Sequence, residues 1–405
     1  MSRSQTDPTQ TLPIRRAGLL LPLLLLISPL LAAQPEPADP ATTTEEQPTA
    51  ATVPQAPEVG AKGYLLMDHD SGVVLAQANA DARLEPASLT KIMTAYVVFH
   101  ELAEGKLKLD DMALVSEKAW RTGGSRMYIE VNTQVSIEDL LHGMIVQSGN
   151  DASIALAEHV AGSEDAFAEL MNRHARRLGM TNTHFTNATG LPGPEHYTTP
   201  RDILKVTSAT IREFPQYYAW YRAPEFTFNN INQRNRNKLL FQDDSVDGVK
   251  TGHTEAAGYC LVASARRDHQ RLTSVVMGTD SETARARDSL ALLNWGFRFF
   301  ETAKLYEAGQ QIETLRIWSG ADTELPVGPA DDLYVTFPRG RYQALAGFIE
   351  NADDIQAPVS RGQQVGDIVL ELDGETLLRV PLVALAAVEE GGIFRKAIDS
   401  VLRLF

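Results

Sequence analysis

The sequence predicts an α/β protein of the α+β type, with a small all-β domain and an amphipathic helix following the main domain. Three observations carry this. Strand-like alternation stands at both ends of residues 60–303, with helical periodicity between them, so one antiparallel sheet draws on distant parts of the chain and packs on a helical cluster. From about Tyr306 to Ala387 the helical period disappears. In the last stretch Ile393, Phe394, Ala397, Ile398, Val401, Leu402 and Phe405 recur at three and four residues.

Each segment has its own justification. Arg15 and Arg16 precede the leucine-rich run Ala17 to Ala33, which carries Pro22 and Pro29. A basic flank, a short apolar run and small residues at its end predict a secretory leader over 1–33, cut after Ala33. Residues 34–58 are rich in Pro, Thr, Ala and Glu and cannot bury a core, so they are expected to be a disordered tether. The main domain is expected over 59–305. "GYLLMD" and "GVVLAQ", separated by His69-Asp70-Ser71, predict a hairpin. Helices are expected over Ala87 to Ala103, Ile137 to Gln147, Ala152 to Val160 and Asp165 to Leu178. Ser136 with Asp139 reads as a capping box and Gly179 as a C-cap. "GYCLVASAR" and "LTSVVMG" predict adjacent strands, and "TARARDSLALLNWGFRFF" a long helix over the sheet. The β-sandwich is expected over 306–388, with a hairpin turn at Asp373-Gly374. Residues 389–405 are expected to be a membrane-anchor helix. Its 13 residues from Ile393 span only about 20 Å, which suits lying in the interface rather than crossing it, and Gly391-Gly392 would detach it from the β domain.

The chain has 405 residues and a formal charge of −15. That sign excludes a nucleic-acid partner but not an anionic substrate, which a local pair of cations can hold. The single cysteine, Cys260, leaves no internal disulfide and reads as a buried structural thiol. Nine histidines show no HExxH pattern, and neither a metal nor a cofactor is expected.

The candidate chemistry begins at "EPASLTKIMTAY". Ser88 and Lys91 stand three apart at the start of an apolar helix, so they share one face. The helix N-terminus favours negative charge developing at Ser88. A lysine is a base only when neutral, and its pKa must fall from roughly 10.4 towards 7. Burial and a second cation can do this, and Lys250 is expected to be that charged partner. Two further stretches complete a set: "QSGND" with Ser148 and Asn150, and "VKTGHT" with Lys250, Thr251 and Gly252. Serine-lysine, serine-x-asparagine and lysine-threonine-glycine in this order are the motifs of penicillin-recognising serine enzymes.

Together with "TNTHFTNATGL", "FTFNNINQRNRNKLL" and "VDGVKTGHTEAAGYCLVASA", these stretches resemble the low-molecular-mass penicillin-binding proteins, specifically the D-alanyl-D-alanine carboxypeptidases of Gram-negative bacteria. The resemblance implies a transpeptidase/β-lactamase-like catalytic domain. Ser88 would be the acyl-ester nucleophile, Lys91 the base and Ser148 a proton relay. It implies that Asn150 binds a substrate amide, and that Lys250, Thr251 and Gly252 lie on the strand edging the cleft, Gly252 leaving room for a peptide backbone. The backbone of His253 would share the oxyanion hole with Ser88, and Arg236 would grip the terminal carboxylate. The implied partners are a stem pentapeptide ending in D-Ala-D-Ala, β-lactams as inhibitors, and the inner-membrane surface. A serine β-lactamase is the nearest rival, but Glu195 is the only tempting deacylating glutamate and its setting does not match. A D,D-endopeptidase would use the same residues, and a non-catalytic wall-binding scaffold would need none of them. "VNT" stands where relatives often have a Pro-Gly turn. Asn132 tolerates the left-handed conformation that such a turn needs.

Overall fold

The computed structural model describes residues 12–16 and 53–402, so most of the expected leader and tether lies outside the described residues. The chain forms two compact units, one spanning Gln55–Thr302 and the other holding Ala303 onward together with the N-terminal segment.

In the first unit β1 (Gly63–Asp68) and β2 (Val74–Ala78) form the expected hairpin. Three later strands complete a five-stranded antiparallel sheet: β3 (Val246–Thr254), β4 (Gly258–Arg267) and β5 (Gln270–Thr279). The order is β2-β1-β5-β4-β3, so the first hairpin pairs with β5 across most of the domain. Alternation divides the sheet's side chains between two cores. Leu66, Leu261, Ala263, Leu272 and Val276 pack under helix α6 (Glu282–Phe299) through Ala286, Leu292, Leu293 and Phe297. Leu65, Cys260, Val262, Val275 and Met277 face the helical cluster. Cys260 is buried there, its thiol pushed up to about 11 by burial.

The helical cluster comprises α1 (Thr90–Ala103), α2 (Ile137–Val146), α3 (Asn150–Ala161), α4 (Glu164–Arg177) and α5 (Pro200–Glu213). Ser136 caps α2 by accepting the Asp139 N–H, Thr199 caps α5 by accepting that of Asp202, and Gly179 follows α4 at φ 69°. Asn132 takes the left-handed conformation at φ 62°.

In the second unit β6 (Phe300–Tyr306) pairs with β9 (Leu333–Pro338). The main sheet holds β7 (Glu313–Arg316), β8 (Glu324–Pro329), β10 (Leu345–Glu350), β11 (Gln364–Leu372) and β12 (Glu375–Ala384), in the order β10-β11-β12-β8-β7. Asp373 and Gly374, both at positive φ, make the β11–β12 turn as expected. An unexpected strand, Ile14–Arg16, runs parallel to β10 and covers its edge, with Leu12 buried beside it. These residues belong to the expected leader.

The terminal helix α7 (Ile393–Leu402) differs from its sequence reading in one respect. Gly391-Gly392 was expected to detach it from the β domain. Instead Gly391 donates its N–H to the Ser319 carbonyl. The buried carboxylate of Asp399 accepts the Ser319 N–H at 2.7 Å and pairs with Arg395. The helix is thus held by its polar side, while Ile393 and Phe394 stand 85% and 88% exposed. No helix among the described residues is long and apolar enough to cross a membrane.

Candidate active site

Ser88 sits in a single 3₁₀ turn, Ala87–Leu89, that runs directly into α1. Two close approaches lock this turn. Gly190, at φ 82°, presses on it so tightly that a Cβ would lie 1.8 Å from the Ala87 carbonyl oxygen. From the sheet side, a Cβ on Gly252 would meet the Pro86 oxygen at 3.1 Å and the Ser88 nitrogen at 3.3 Å. The sequence reading gave Gly252 the task of leaving room for a substrate backbone. Here its missing side chain lets β3 pack against the serine turn.

Lys91 lies one turn into the helix and is 1% exposed. Its Nζ has three neighbours: Ser88 Oγ at 3.1 Å, Asn150 Oδ1 at 2.6 Å and the Thr189 carbonyl at 2.6 Å. The two carbonyl oxygens can only accept, so they take two N–H bonds. In the neutral amine the remaining position is a lone pair facing the serine hydroxyl. Burial is the main reason the Lys91 pKa falls to about 7, assisted by the positive charge of Arg236 and opposed by Asp151 and Glu164.

This changes the expected division between the lysines. Lys250 was to be the charged partner that depresses Lys91. The structure buries Lys250 equally, gives its Nζ a bond to the Thr251 carbonyl, and surrounds it with Lys91, Arg236 and Arg285. Its pKa is pushed well down, by burial first and by those cations second. Among the described residues no carboxylate stands out as countering this, whereas Asp151 and Glu164 support a proton on Lys91.

Asn150 also departs from expectation. It was assigned a substrate amide, but its side chain turns inward, accepting from Lys91 and donating from Nδ2 to the Gly123 carbonyl at 2.7 Å. Ser148, between α2 and α3 at φ 66°, is 2% exposed, and its Oγ has no partner among the described residues. Thr251 is buried on β3, and the exposed His253 ring stacks on Tyr259 at 4.0 Å. Arg236 is exposed and donates from Nε to the Gln147 carbonyl at 3.1 Å. It lines a cleft of about 670 Å³ with Gln147, Tyr128, Lys238 and Glu282. Glu195 is exposed.

Two residues went unread in the sequence. Asp151 is buried, and its carboxylate accepts the backbone N–H groups of Met127, Tyr128, Ile129 and Ala152, fastening the loop before α2 to the start of α3. Arg285 reaches from α6 to the Gly252 carbonyl at 3.1 Å and steadies β3. An aspartate directly after Asn150 was a usable signal for the first. Nothing local marked the second.

Residues 50–281 match the family model for D-alanyl-D-alanine carboxypeptidase, and residues 300–390 match that for the C-terminal domain of penicillin-binding protein 5. The chain belongs to the D-alanyl-D-alanine carboxypeptidase family. It is 45% identical over 359 residues to D-alanyl-D-alanine carboxypeptidase DacC of Escherichia coli K12, covering 87% of this chain and 90% of that one. Penicillin-binding protein 5 of Haemophilus influenzae matches with a TM-score of 0.81 and 43% identity, over 83% of this chain and 99% of that one. Penicillin-binding protein D2 of Listeria monocytogenes, solved in its ampicillin-bound form, matches with a TM-score of 0.56 and 29% identity, over 60% of this chain and all of that one. The fold is that of penicillin-binding protein 5, and the chain is a serine-type carboxypeptidase of this penicillin-binding family.

Proposed function

We propose that this carboxypeptidase removes the terminal D-alanine of peptidoglycan stem pentapeptides through an acyl-enzyme on Ser88, at the periplasmic face of the inner membrane, in cell-wall remodelling and maintenance of cell shape. The observation that carries the residue roles is the Lys91 amine: two carbonyl oxygens hold it and its third direction faces Ser88 Oγ. Neutral Lys91 takes the hydroxyl proton as Oγ bonds to the scissile carbonyl carbon. The oxyanion enters the backbone N–H groups of Ser88 and His253. Ser148, whose Oγ is otherwise unengaged, relays the proton from Lys91 to the departing D-alanine nitrogen as the peptide bond breaks. Water, deprotonated by Lys91, then cleaves the ester.

Substrate binding resolves the lysine pair. A terminal carboxylate lodged by Lys250, Thr251 and Arg236 supplies the counter-charge that Lys250 lacks and raises its proton affinity. Lys250 becomes the cation and Lys91 is left neutral. Asn150 positions Lys91 rather than gripping substrate. β-Lactams acylate the same serine, and the exposed Glu195 gives no support to rapid hydrolysis of that adduct.

The helix α7 supports peripheral attachment: its apolar side chains are already presented outward. We place leader cleavage after Ala33, and the domain limits at 59–305, 306–388 and 389–405.

The test is a fluorescent-penicillin gel with D-alanine release measured in parallel. Wild type labels and releases D-alanine from a pentapeptide, whereas Ser88→Ala does neither. Equal labelling of the two proteins rejects Ser88 as the acylated residue, and crosslink cleavage outpacing D-alanine release makes the enzyme an endopeptidase.

A further inference from the structure

We propose that His100, Glu101 and His174 form a divalent-metal site suited to Zn²⁺, which ties the end of α1 to α4. One ligating atom from each residue lies within 4.8 Å of the others. The two imidazole rings have centroids 4.7 Å apart and meet edge to face at 66°. His174 is only 7% exposed, and neither its Nδ1 nor that of His100 has a hydrogen-bond partner among the described residues. Two adjacent buried ring nitrogens without partners are costly as they stand. A metal ion shared between them removes both deficits.

The donor set fits zinc. Imidazole suits the later transition metals, and two histidines with one carboxylate make a three-ligand site with a position for water. His100 Nδ1 stands 3.9 Å from Glu101 Oε1, and its Nε2 stands 3.8 Å from Glu104 Oε1. Ligating through Nδ1 leaves Nε2–H aimed at Glu104, the carboxylate–histidine–metal arrangement that orients a ligand ring. Zinc bonds of about 2.0–2.1 Å place tetrahedral ligands about 3.3 Å apart. Side-chain rotations of about 1 Å therefore close the site.

The surroundings oppose binding only weakly. Arg173 and Arg177 add positive charge near His174, but Arg177 is engaged by the Tyr96 hydroxyl and Glu213. Lys106 pairs with Glu101 and Glu104, yet its side chain is 60% exposed and such pairs yield readily. The histidines are 174 − 100 = 74 residues apart, so no contiguous metal motif exists in the sequence. On α1 the site lies 100 − 91 = 9 residues beyond Lys91, about 14 Å along the axis. It braces the helix that carries the reactive lysine and takes no part in acyl transfer.

Chelator-treated full-length protein is titrated with Zn²⁺, and separately with Co²⁺, by calorimetry and visible absorption. One equivalent is expected to bind, to raise the melting temperature, and to give cobalt bands of a nitrogen–oxygen site. His100 and Glu101 are partly exposed, so His100→Ala and Glu101→Gln keep the fold testable even if the buried His174→Asn unfolds. Each is expected to weaken binding at least about tenfold, and Glu104→Gln by about 10-fold or more, with the rate of penicillin labelling unchanged. No zinc binding by the wild type at millimolar metal, or binding by His100→Ala and Glu101→Gln equal to wild type, overturns the site.

Discussion

Helices α1 and α7 both contradict the rule that charge faces water and hydrocarbon faces inward, and they do so in opposite senses. In α1 every residue from Thr90 to Phe99 is buried, Lys91 included. In α7 Ile393, Phe394, Ile398, Val401 and Leu402 are exposed, while Asp399 is 1% exposed. A buried amine is held near neutrality, and near neutrality it becomes a base. An outward apolar face gains nothing in water but would gain about 1.5–3 kcal/mol for each large side chain that entered a lipid layer. In the proposed function the inversion inside the protein serves reactivity, and the one at the surface serves affinity for lipid. Both inversions stand on neighbouring hydrogen bonds: Asn150 and Thr189 on Lys91, Ser319 on Asp399.

The sharpest way to break the first inversion is Lys91→Met, which keeps the volume and removes the proposed base. Turnover and acylation by penicillin are expected to fall by about 10²–10⁴-fold with the melting transition preserved, read by D-alanine release and stopped-flow labelling. The second inversion breaks with Phe394→Ser combined with Ile398→Ser. Binding to anionic vesicles is expected to weaken by about 100-fold or more, while soluble activity stays at the wild-type level. A subtler change retunes the amine. The proposed role requires Lys91 unprotonated, so kcat/KM is expected to rise with pH through its folded pKa, near 7 in the unliganded enzyme. Asn150→Asp sets a carboxylate against the amine and stabilises its cation. The rising limb is expected to move about 1–3 units to higher pH, which a pH–rate profile measures. The smallest effect belongs to Asp399→Asn, which keeps an acceptor for Ser319 but loses the charge. The Ser319 amide is expected to exchange several-fold faster by mass-detected hydrogen exchange, a loosening of about 1 kcal/mol.

Much of this was legible in the chain because the signals were local. Period and caps marked the helices, Asp373-Gly374 marked a turn that needs two positive φ values, and the serine, asparagine and lysine motifs named the site. What stayed hidden depends on contacts between distant segments. The sequence could place Lys91 near Ser88 but could not show the Thr189 carbonyl, which arrives from 98 residues away. It suggested that a second lysine would carry the charge, whereas the charge balance at Lys250 follows from which carboxylates lie near each amine. The hairpin Glu225–Phe228 with Ile231–Arg234 turns on Asn229 and Asn230, both at positive φ, a two-asparagine signal that went unused. Gly252 was read as leaving room for a substrate backbone, while the group that approaches it here is the chain's own serine turn.

The Asp399 clamp has a mechanical consequence. Because α7 is already wound and docked by its polar side, settling on a bilayer would require no coil-to-helix transition and no release from the β domain. The helix would act as a keel fixed to its hull, setting the tilt of the β domain against the lipid plane rather than trailing from it as a loose mooring line.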